Sequence, residues 1–400
     1  MLMFSPFRGW ARLAAAAIAL LLATAIWLPV VHLFFRPTLA DYRQSHGIAP
    51  AARQIAHRHL RLWEDPALRA AEIDRMRASN AEWDFMGRTF LVLGLANIAL
   101  HEPHEQARYL TVIDQIIDET LKVEAEHGMY FFLMPYARAG PFVAQPARSL
   151  FIDGEIALML AARQRVAINP RYERPLAQRI DTIVQGMQSG PALCAESYPD
   201  ECWMFCNAAA VAAVAVSDSV DGRDHGAFIN EWLASIKARL VDHETGLLVS
   251  SFTYDGKPLD GPEGSSIWFV AHCLQLIDPD FAADQYARAR AELGQRIMGF
   301  GYAREWPASW QGPMDVDSGP IVPVLGASAG SSGLALLGAA AFDDHNFLRE
   351  LLTSLQFAGF PCTDDHGRSY AAGNQVGDAV LLYALVQGPL WQQVLTPSPF

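Results

Sequence analysis

The run AAAVAAVAV, Ala208 to Val216, constrains this chain more than any other stretch. A helix of small apolar residues with no polar face cannot lie on a surface, so other elements must enclose it. Directly ahead of it stands CAESYPDECWMFCN, Cys194 to Asn207, where three cysteines, three acids, a Tyr, a Trp and an Asn crowd a polar loop. Such groups at the mouth of a buried helix are what a pocket requires, because the rigid helix orients what the loop exposes. A structural reading stands beside it: Asp200 or Glu201 near a helix start, and a disulfide among the thiols.

Nearly everything after Arg36 carries a helical period, as in Ile113, Ile116, Ile117 and Leu121. The spacing predicts helices over Asp65–Ala78, Glu82–Ala99, Glu105–Glu126, Arg148–Val166, Arg171–Gln188, Trp203–Val216 and His225–Leu240. Further helices are predicted over Ser265–Ile277, Ala282–Ile297, Pro323–Ala341, Asn346–Gln356 and Gly373–Val386. Many pair as an Ala/Gly/Leu-rich member followed by a more charged one, the pattern of a two-layer toroid with buried inner and amphipathic outer helices. Periodicity does not separate a toroid from an open α-solenoid. Long loops such as Met129–Ala147 favour the toroid, whose mouth they would fill. GLLVSSFTYDG is the one clear hairpin candidate, with Asp255-Gly256 as turn residues. No βαβ rhythm and no G-x-G-x-x-G is present, which argues against a nucleotide-binding sheet. The expectation is an all-α chain with a few short hairpins.

The N-terminus is set apart. Arg8 and Arg12 precede an apolar run from Leu13 to Phe35, broken only by Thr24, Pro29 and His32. Spanning a bilayer takes roughly 20 residues, whereas the apolar core of a cleavable signal takes about 7–15. Ala23-Thr24-Ala25 mimics a cleavage site, yet the apolar run continues beyond it. An uncleaved transmembrane helix is expected, with the N-terminus cytoplasmic and the body on the extracytoplasmic, periplasmic side. Residues 1–36 are read as anchor (or signal sequence), 37–64 as linker and first helical segment, and 65–400 as the barrel. A net charge of −13, with no run of Lys and Arg, argues against a nucleic-acid partner and against anionic lipid as a partner.

The order of several segments resembles the linalool dehydratase-isomerase family. The segments are PDECWMFCN with its small-residue helix, GLLVSSFTYDGKP, SSIWFVAHCLQLIDPDFAADQYARAR, and GPMDVDSGP ahead of an Ala/Gly-rich helix. They run in family order from about Trp83 to Tyr383. The resemblance implies an (α/α)6 barrel, a cofactor-free lyase or isomerase of alkenols, and a pocket helped by a neighbouring subunit, hence a homo-oligomer.

Several residues bear on chemistry. Asp84, in AEWDFMGRTF, heads a nearly wholly apolar helix, and the matching family position is a catalytic aspartate. Phe90 stands where the family has a tyrosine, as does Phe252 in the hairpin. Glu155, in SLFIDGEIALMLAA, is a carboxylate on a buried helix, where the family has a histidine. Burial raises a carboxyl's pKa and yields a neutral acid able to donate a proton. The structural alternative is an ion pair with Arg148 or Arg163. Cys206 matches a family cysteine at a helix start, where the dipole lowers a thiol's pKa. The family's partner cysteine has no clean match here, since Cys194 lies further away than the family spacing and Cys202 closer, and a Cys194–Cys202 disulfide is the alternative. Glu196 and Glu201 are expected to be solvated, and the thiols make a poor zinc site. Asp315 and Asp317 cap helices, bind a cation or line the mouth, with capping favoured over a metal. Asp378 is another lone acid on an apolar helix. Phe151, Trp203 and Trp268 are candidates for lining a pocket.

Three functions follow. The first is a cofactor-free lyase or isomerase of a small, largely apolar alcohol, with a proton from Glu155 or Asp84 and Cys206 or another carboxylate as base. The second is an (α/α)6 carbohydrate-active hydrolase or epimerase built on two carboxylates. The third is a membrane-tethered protein with a degenerate pocket. An apolar channel would favour the first, an open polar cleft the second and a filled barrel the third.

Overall fold

The computed structural model describes residues 6–44, 46–314 and 318–396. Helix α1 (Pro6–Trp27) continues as a 3-10 segment, Leu28–Phe34, into the body. Then follow α2 (Pro50–Glu64), α3 (Pro66–Ser79), α4 (Ala81–His101), α5 (Gln106–His127), α6 (Leu150–Val166) and α7 (Pro170–Ser189). After the short strand β1 (Cys202–Trp203) come α8 (Met204–Asp221), α9 (Gly226–Arg239), β2 (Ser251–Phe252), β3 (Pro258–Asp260), α10 (Gly264–Leu274) and α11 (Pro279–Glu292). The chain ends through hairpin β4 (Gly294–Ile297) and β5 (Phe300–Ala303), hairpin β6 (Ile321–Val322) and β7 (Ala327–Ser328), α12 (Ala329–Ala341) and α13 (His345–Ala358). A hairpin of β8 (Pro361–Asp364) and β9 (Gly367–Tyr370) leads to α14 (Gln375–Val386) and α15 (Pro389–Leu395).

Helices α4, α6, α8, α10, α12 and α14 pack side by side in that order, and α14 returns onto α4, so the inner ring closes. Each is followed by an outer helix, except that the sixth outer position is taken by α2, which packs on α14 and α5. The chain is an (α/α)6 barrel. The inner helices are apolar almost all round, and their small residues permit close approach: a Cβ on Gly154 of α6 would stand 3.0 Å from the Cβ of Ala210 on α8. That contact explains why the Ala208–Val216 run must be small. Outer helices are amphipathic, as in α7, which buries Tyr172, Leu176, Ile180, Ile183, Val184 and Met187 and turns its charges outward.

Helix starts are fixed by side-chain caps: Asn80 accepts from the Glu82 amide, Ser328 from Ser331 and Asn374 from Gly377. Connections at the far end of the inner helices are short, such as 102–105, 167–169 and 222–225. Those where the inner helices begin are long, such as 128–149, 190–203, 240–263 and 293–328. All of the long loops therefore gather at one mouth.

Below the mouth the lumen is filled. Phe90 of α4 and Phe269 of α10 sit on opposite sides of the ring, yet their rings meet across the axis at 5.3 Å, and Phe205 of α8 stacks on Phe269 at 4.4 Å. Deeper down, His272 Nε2 lies 2.6 Å from the Tyr383 hydroxyl, and Trp391 of α15 stacks on the imidazole at 4.9 Å. The Leu390 amide donates to Asn97 Oδ1 at 3.0 Å, so α15 stoppers the closed end.

The structure differs from the sequence reading in several elements. The helical segment expected within 37–64 is α2, and it takes the sixth outer position of the barrel rather than preceding it. Ala282–Ile297 divides into α11 and β4, because Gly294 stops the helix and the chain turns through Met298 and Gly299, both at positive φ. Pro323–Ala341 begins its helix only at Ala329, after the β6–β7 hairpin. The Asp255-Gly256 turn is present, with Gly256 at φ 88° joining β2 to β3, and β1 adds a third strand. Among the described residues two segments are long and apolar enough to cross a membrane, Gly9–Asp41 and Met204–Asp221. The second is the enclosed helix α8; the first is unburied.

Candidate functional site at the barrel mouth

Glu155 is the chemically distinctive group of the mouth. It lies in the second turn of α6 and is 1 % exposed. Its Oε2 accepts a hydrogen bond from Thr89 Oγ1 of α4 at 2.5 Å, while Oε1 is buried without a partner among the described residues. Neither expected arginine reaches it: Arg148 pairs with Asp153, and Arg163 pairs with Asp114 at 2.5 Å. Burial pushes its pKa up to about 8; the Thr89 hydrogen bond opposes the rise and the neighbouring Glu82 charge adds to it. At neutral pH the group is predominantly a carboxylic acid.

Glu82 is the carboxylate that α4 turns toward Glu155. Residues two apart on a helix point about 200° apart, so Glu82 and Asp84 cannot share a face. Asp84 points into the wall, where its carboxylate meets Arg88 Nε at 3.0 Å and Arg77 at 3.6 Å. Arg88 continues to Glu119 at 3.3 Å and Thr120 at 3.3 Å. The structure brings Glu155 and Cys206 together, close enough for each carboxylate charge to act on the thiol, and sets Asp84 apart from both.

A chain of polar and aromatic groups forms the rim. The Tyr198 hydroxyl donates to Glu82 Oε1 and accepts from the Met134 amide at 3.0 Å. Its ring stacks on Tyr136 at 4.4 Å, and Tyr136 donates to Glu201 Oε1 at 3.4 Å. Trp203, half-buried, donates its indole N–H to the same carboxylate. Glu196 departs from the expected solvation: it is buried and accepts from the amides of Val143, Ala144 and Asp200 at 2.9, 2.8 and 2.7 Å. It pins two mouth loops together, its two carboxyl oxygens taking all three N–H groups.

The thiols differ from expectation in the opposite sense. Cys194, Cys202 and Cys206 are free and buried, with no disulfide among them. Burial pushes the Cys206 thiol well up, and the nearby Glu155, Glu82 and Glu201 charges reinforce it, so carboxylates and burial outweigh the helix dipole. Cys194 is pushed up to about 12 by burial. These are neutral thiols packed as small hydrophobes.

The remaining sequence candidates fall in packed surroundings. Phe90 is part of the lumen plug, Phe151 meets Phe85 edge-on at 5.1 Å, and Phe252 is buried in β2 opposite Cys202. Trp268 faces the wall, with its N–H 3.2 Å from Ser331 Oγ and its ring against Tyr286 and Phe347 of outer helices. Asp315 and Asp317 lie outside the described residues. Sequence reasoning passed over Glu82, Thr89, Tyr136 and Tyr198; the available signal was helical phase, which puts Glu82, Met86 and Thr89 on one face of α4.

No family model matches the chain, and no curated protein matches it. Among solved structures it is similar to the GH76A α-1,6-mannanase from Salegentibacter sp. HEL1_6, at 12% identity and TM-score 0.50, covering 77% of this chain and 90% of that one. It is also similar to a GH76 α-mannanase of Bacteroides thetaiotaomicron, at 12% identity and TM-score 0.48, covering 78% and 87%. A D-mannose isomerase matches at 10% identity and TM-score 0.46, covering 75% and 86%. At such identity the likeness is one of fold. The resemblance to linalool dehydratase-isomerases is thereby corrected: no family model and no curated protein of that family matches the chain, and the solved structure similar at TM-score 0.50 is an α-1,6-mannanase. The segments that carried the resemblance, polar loops running into small-residue helices, are ones any such barrel needs at its inner helix starts.

Proposed function

We propose that the chain is a membrane-tethered carbohydrate-active enzyme that performs acid–base chemistry on a saccharide at the barrel mouth. Glu155 is the proton donor and Glu82 the second carboxylate. The observation that carries this is the environment of Glu155: buried, its pKa pushed up by that burial, with one oxygen unpartnered among the described residues, and with the second acid Glu82 in a different hydrogen-bonding environment. Two carboxyl groups whose surroundings push their protonation apart divide into acid and base. The rim supports a sugar in particular. Tyr136, exposed, and Trp203, half-buried, offer ring faces, and Glu82 and Glu201 offer acceptors for hydroxyls. Glycosidic cleavage would have Glu155 protonate the departing oxygen while Glu82 attacks or activates water.

The tether is Gly9–Asp41, retained rather than cleaved, with Arg8 and Arg12 on the cytoplasmic side and the barrel outside. The packed lumen favours a second reading, a tethered protein whose barrel performs no chemistry. One experiment separates the two. The full-length chain is assayed on a panel of α- and β-linked oligosaccharides and reducing sugars, beside Glu155→Gln. The proposal expects turnover of at least one saccharide and a loss of about 10²–10⁴-fold in the variant, the usual worth of a general acid. Saccharide binding without turnover, unchanged in the variant, would leave the non-catalytic reading.

A further inference from the structure

The anchor does not leave the barrel on a loose tether. Its final 3-10 segment, Leu28–Phe34, and Phe35 are seated on the body. His32 lies edge-on to Phe300 at 6.2 Å, Phe35 meets Phe357 at 5.0 Å, and Phe300 meets Phe357 at 5.2 Å. The Met298–Gly299 turn is fitted to this contact, since a Cβ on Gly299 would stand 2.3 Å from the His32 ring. The β4–β5 hairpin and the last turn of α13 therefore hold the end of the membrane helix in a fixed place.

Around that junction large apolar side chains point outward. Phe34 is 75 % exposed, Ile297 44 %, Met298 45 %, Phe357 49 % and Phe360 64 %. They come from three separate parts of the chain and gather where the anchor meets the body. Contiguous exposed apolar surface on a folded body marks a contact face. Its continuity with a membrane-crossing helix identifies what covers it. Beside it lies a crevice of about 400 Å³ lined by Phe34, Phe35, Arg36, Tyr42, Gln356 and Arg368. The Arg368 Nε has no partner there. Apolar tips followed by arginines match the order of a bilayer interface, from acyl boundary to phosphate.

We propose that the barrel rests against the lipid surface through this face, with Phe34, Ile297, Met298, Phe357 and Phe360 in the interface and Arg36 and Arg368 at the level of lipid phosphates. The inference rests on the reading of the N-terminal helix as a retained anchor. Its consequence is orientation. The β4–β5 hairpin and the end of α13 belong to the end where the inner helices begin, so docking holds the mouth at the membrane surface.

The test uses the full-length chain in phosphatidylcholine vesicles. In a Cys362→Ser background, where the other cysteines are buried, an environment-sensitive fluorophore is placed at Met298→Cys or Phe360→Cys. Controls are Leu68→Cys and Ile168→Cys, exposed positions on α3 and in the closed-end connection. Labelling Cys362 in the unaltered chain gives the same reading without substitution, since its Sγ is 3.6 Å from the Phe360 carbonyl oxygen. Spin-labelled lipid should quench positions 298, 360 and 362 several-fold more than 68 and 168. An intact chain with equal quenching at all positions overturns the docking face and leaves the anchor standing. A chain whose mass shows the N-terminal segment removed overturns both.

Discussion

Thr89 on α4 donates its hydroxyl to Glu155 on α6 at 2.5 Å, the one hydrogen bond to that carboxyl among the described residues. The bond favours the charged form of a group that burial otherwise keeps neutral. Thr89→Val preserves shape and removes the donor. Hydrogen bonds to charged groups are worth roughly 1.5–3 kcal/mol, or about one to two pH units. The alkaline limb of any Glu155-dependent activity should move upward by that amount in Thr89→Val and return in Thr89→Ser. An unmoved limb would mean that a different group sets it.

The pH dependence of stability has a definite sign. Glu155 has a folded pKa of about 8 against an ordinary 4.5, so between these values the unfolded chain has lost a proton that the folded chain retains. Stability contributed by this group is therefore present below pH 4.5 and lost as pH rises toward 8. Asp378, pushed to about 7 by burial, acts in the same direction. His59 and His272, lowered to about 4 by burial, act oppositely and cost stability as pH falls from 6.5. Glu155→Gln should gain stability relative to the native chain from pH 5 to 8, on the order of a few kcal/mol. Urea midpoints across that range measure the difference, and parallel curves would refute it.

Asp84 and Arg88 form a buried pair, 1 % and 3 % exposed. Removing one partner of such a pair costs about 3–5 kcal/mol, because the other charge is stranded. Asp84→Asn should lower the melting temperature markedly and leave activity per folded molecule unchanged. A stable but inactive variant would return Asp84 to the chemistry.

The outcome at Asp84 shows where sequence reading ends. Glu82 and Asp84 are two acids in the same first turn, and apolar content alone does not reveal which one the barrel axis lies beside. That depends on the position of α3 and of Arg77 and Arg88. The toroid is legible because buried and amphipathic helices alternate, and Glu155 because a carboxylate amid Phe151, Ile152, Ile156 and Leu158 has no polar face to turn to. The place of α2 in the ring is not, although a helical segment is expected there and Ala52, Ile55, Ala56 and Leu60 are spaced for it, because its partner α14 lies at the other end of the chain. Nor is the plug: Phe90 is a candidate site residue until its ring is seen to meet Phe269 across the axis.

The cysteines give a simple chemical test. Cys362 is exposed, whereas Cys194, Cys202, Cys206 and Cys273 are buried and free. A thiol reagent should modify one cysteine in the folded chain and five after denaturation without reductant. Recovery of three in the denatured, unreduced chain would show a disulfide.

The central claim, that Glu155 is a neutral acid at physiological pH, is open to direct titration. Carbon-13 NMR of full-length chain labelled at the glutamate carboxyl carbons, with Glu155→Gln to assign the signal, follows this one group. The account predicts a midpoint near pH 8, far above the other carboxyls. A midpoint between about 4 and 5, the ordinary glutamate range, would contradict it.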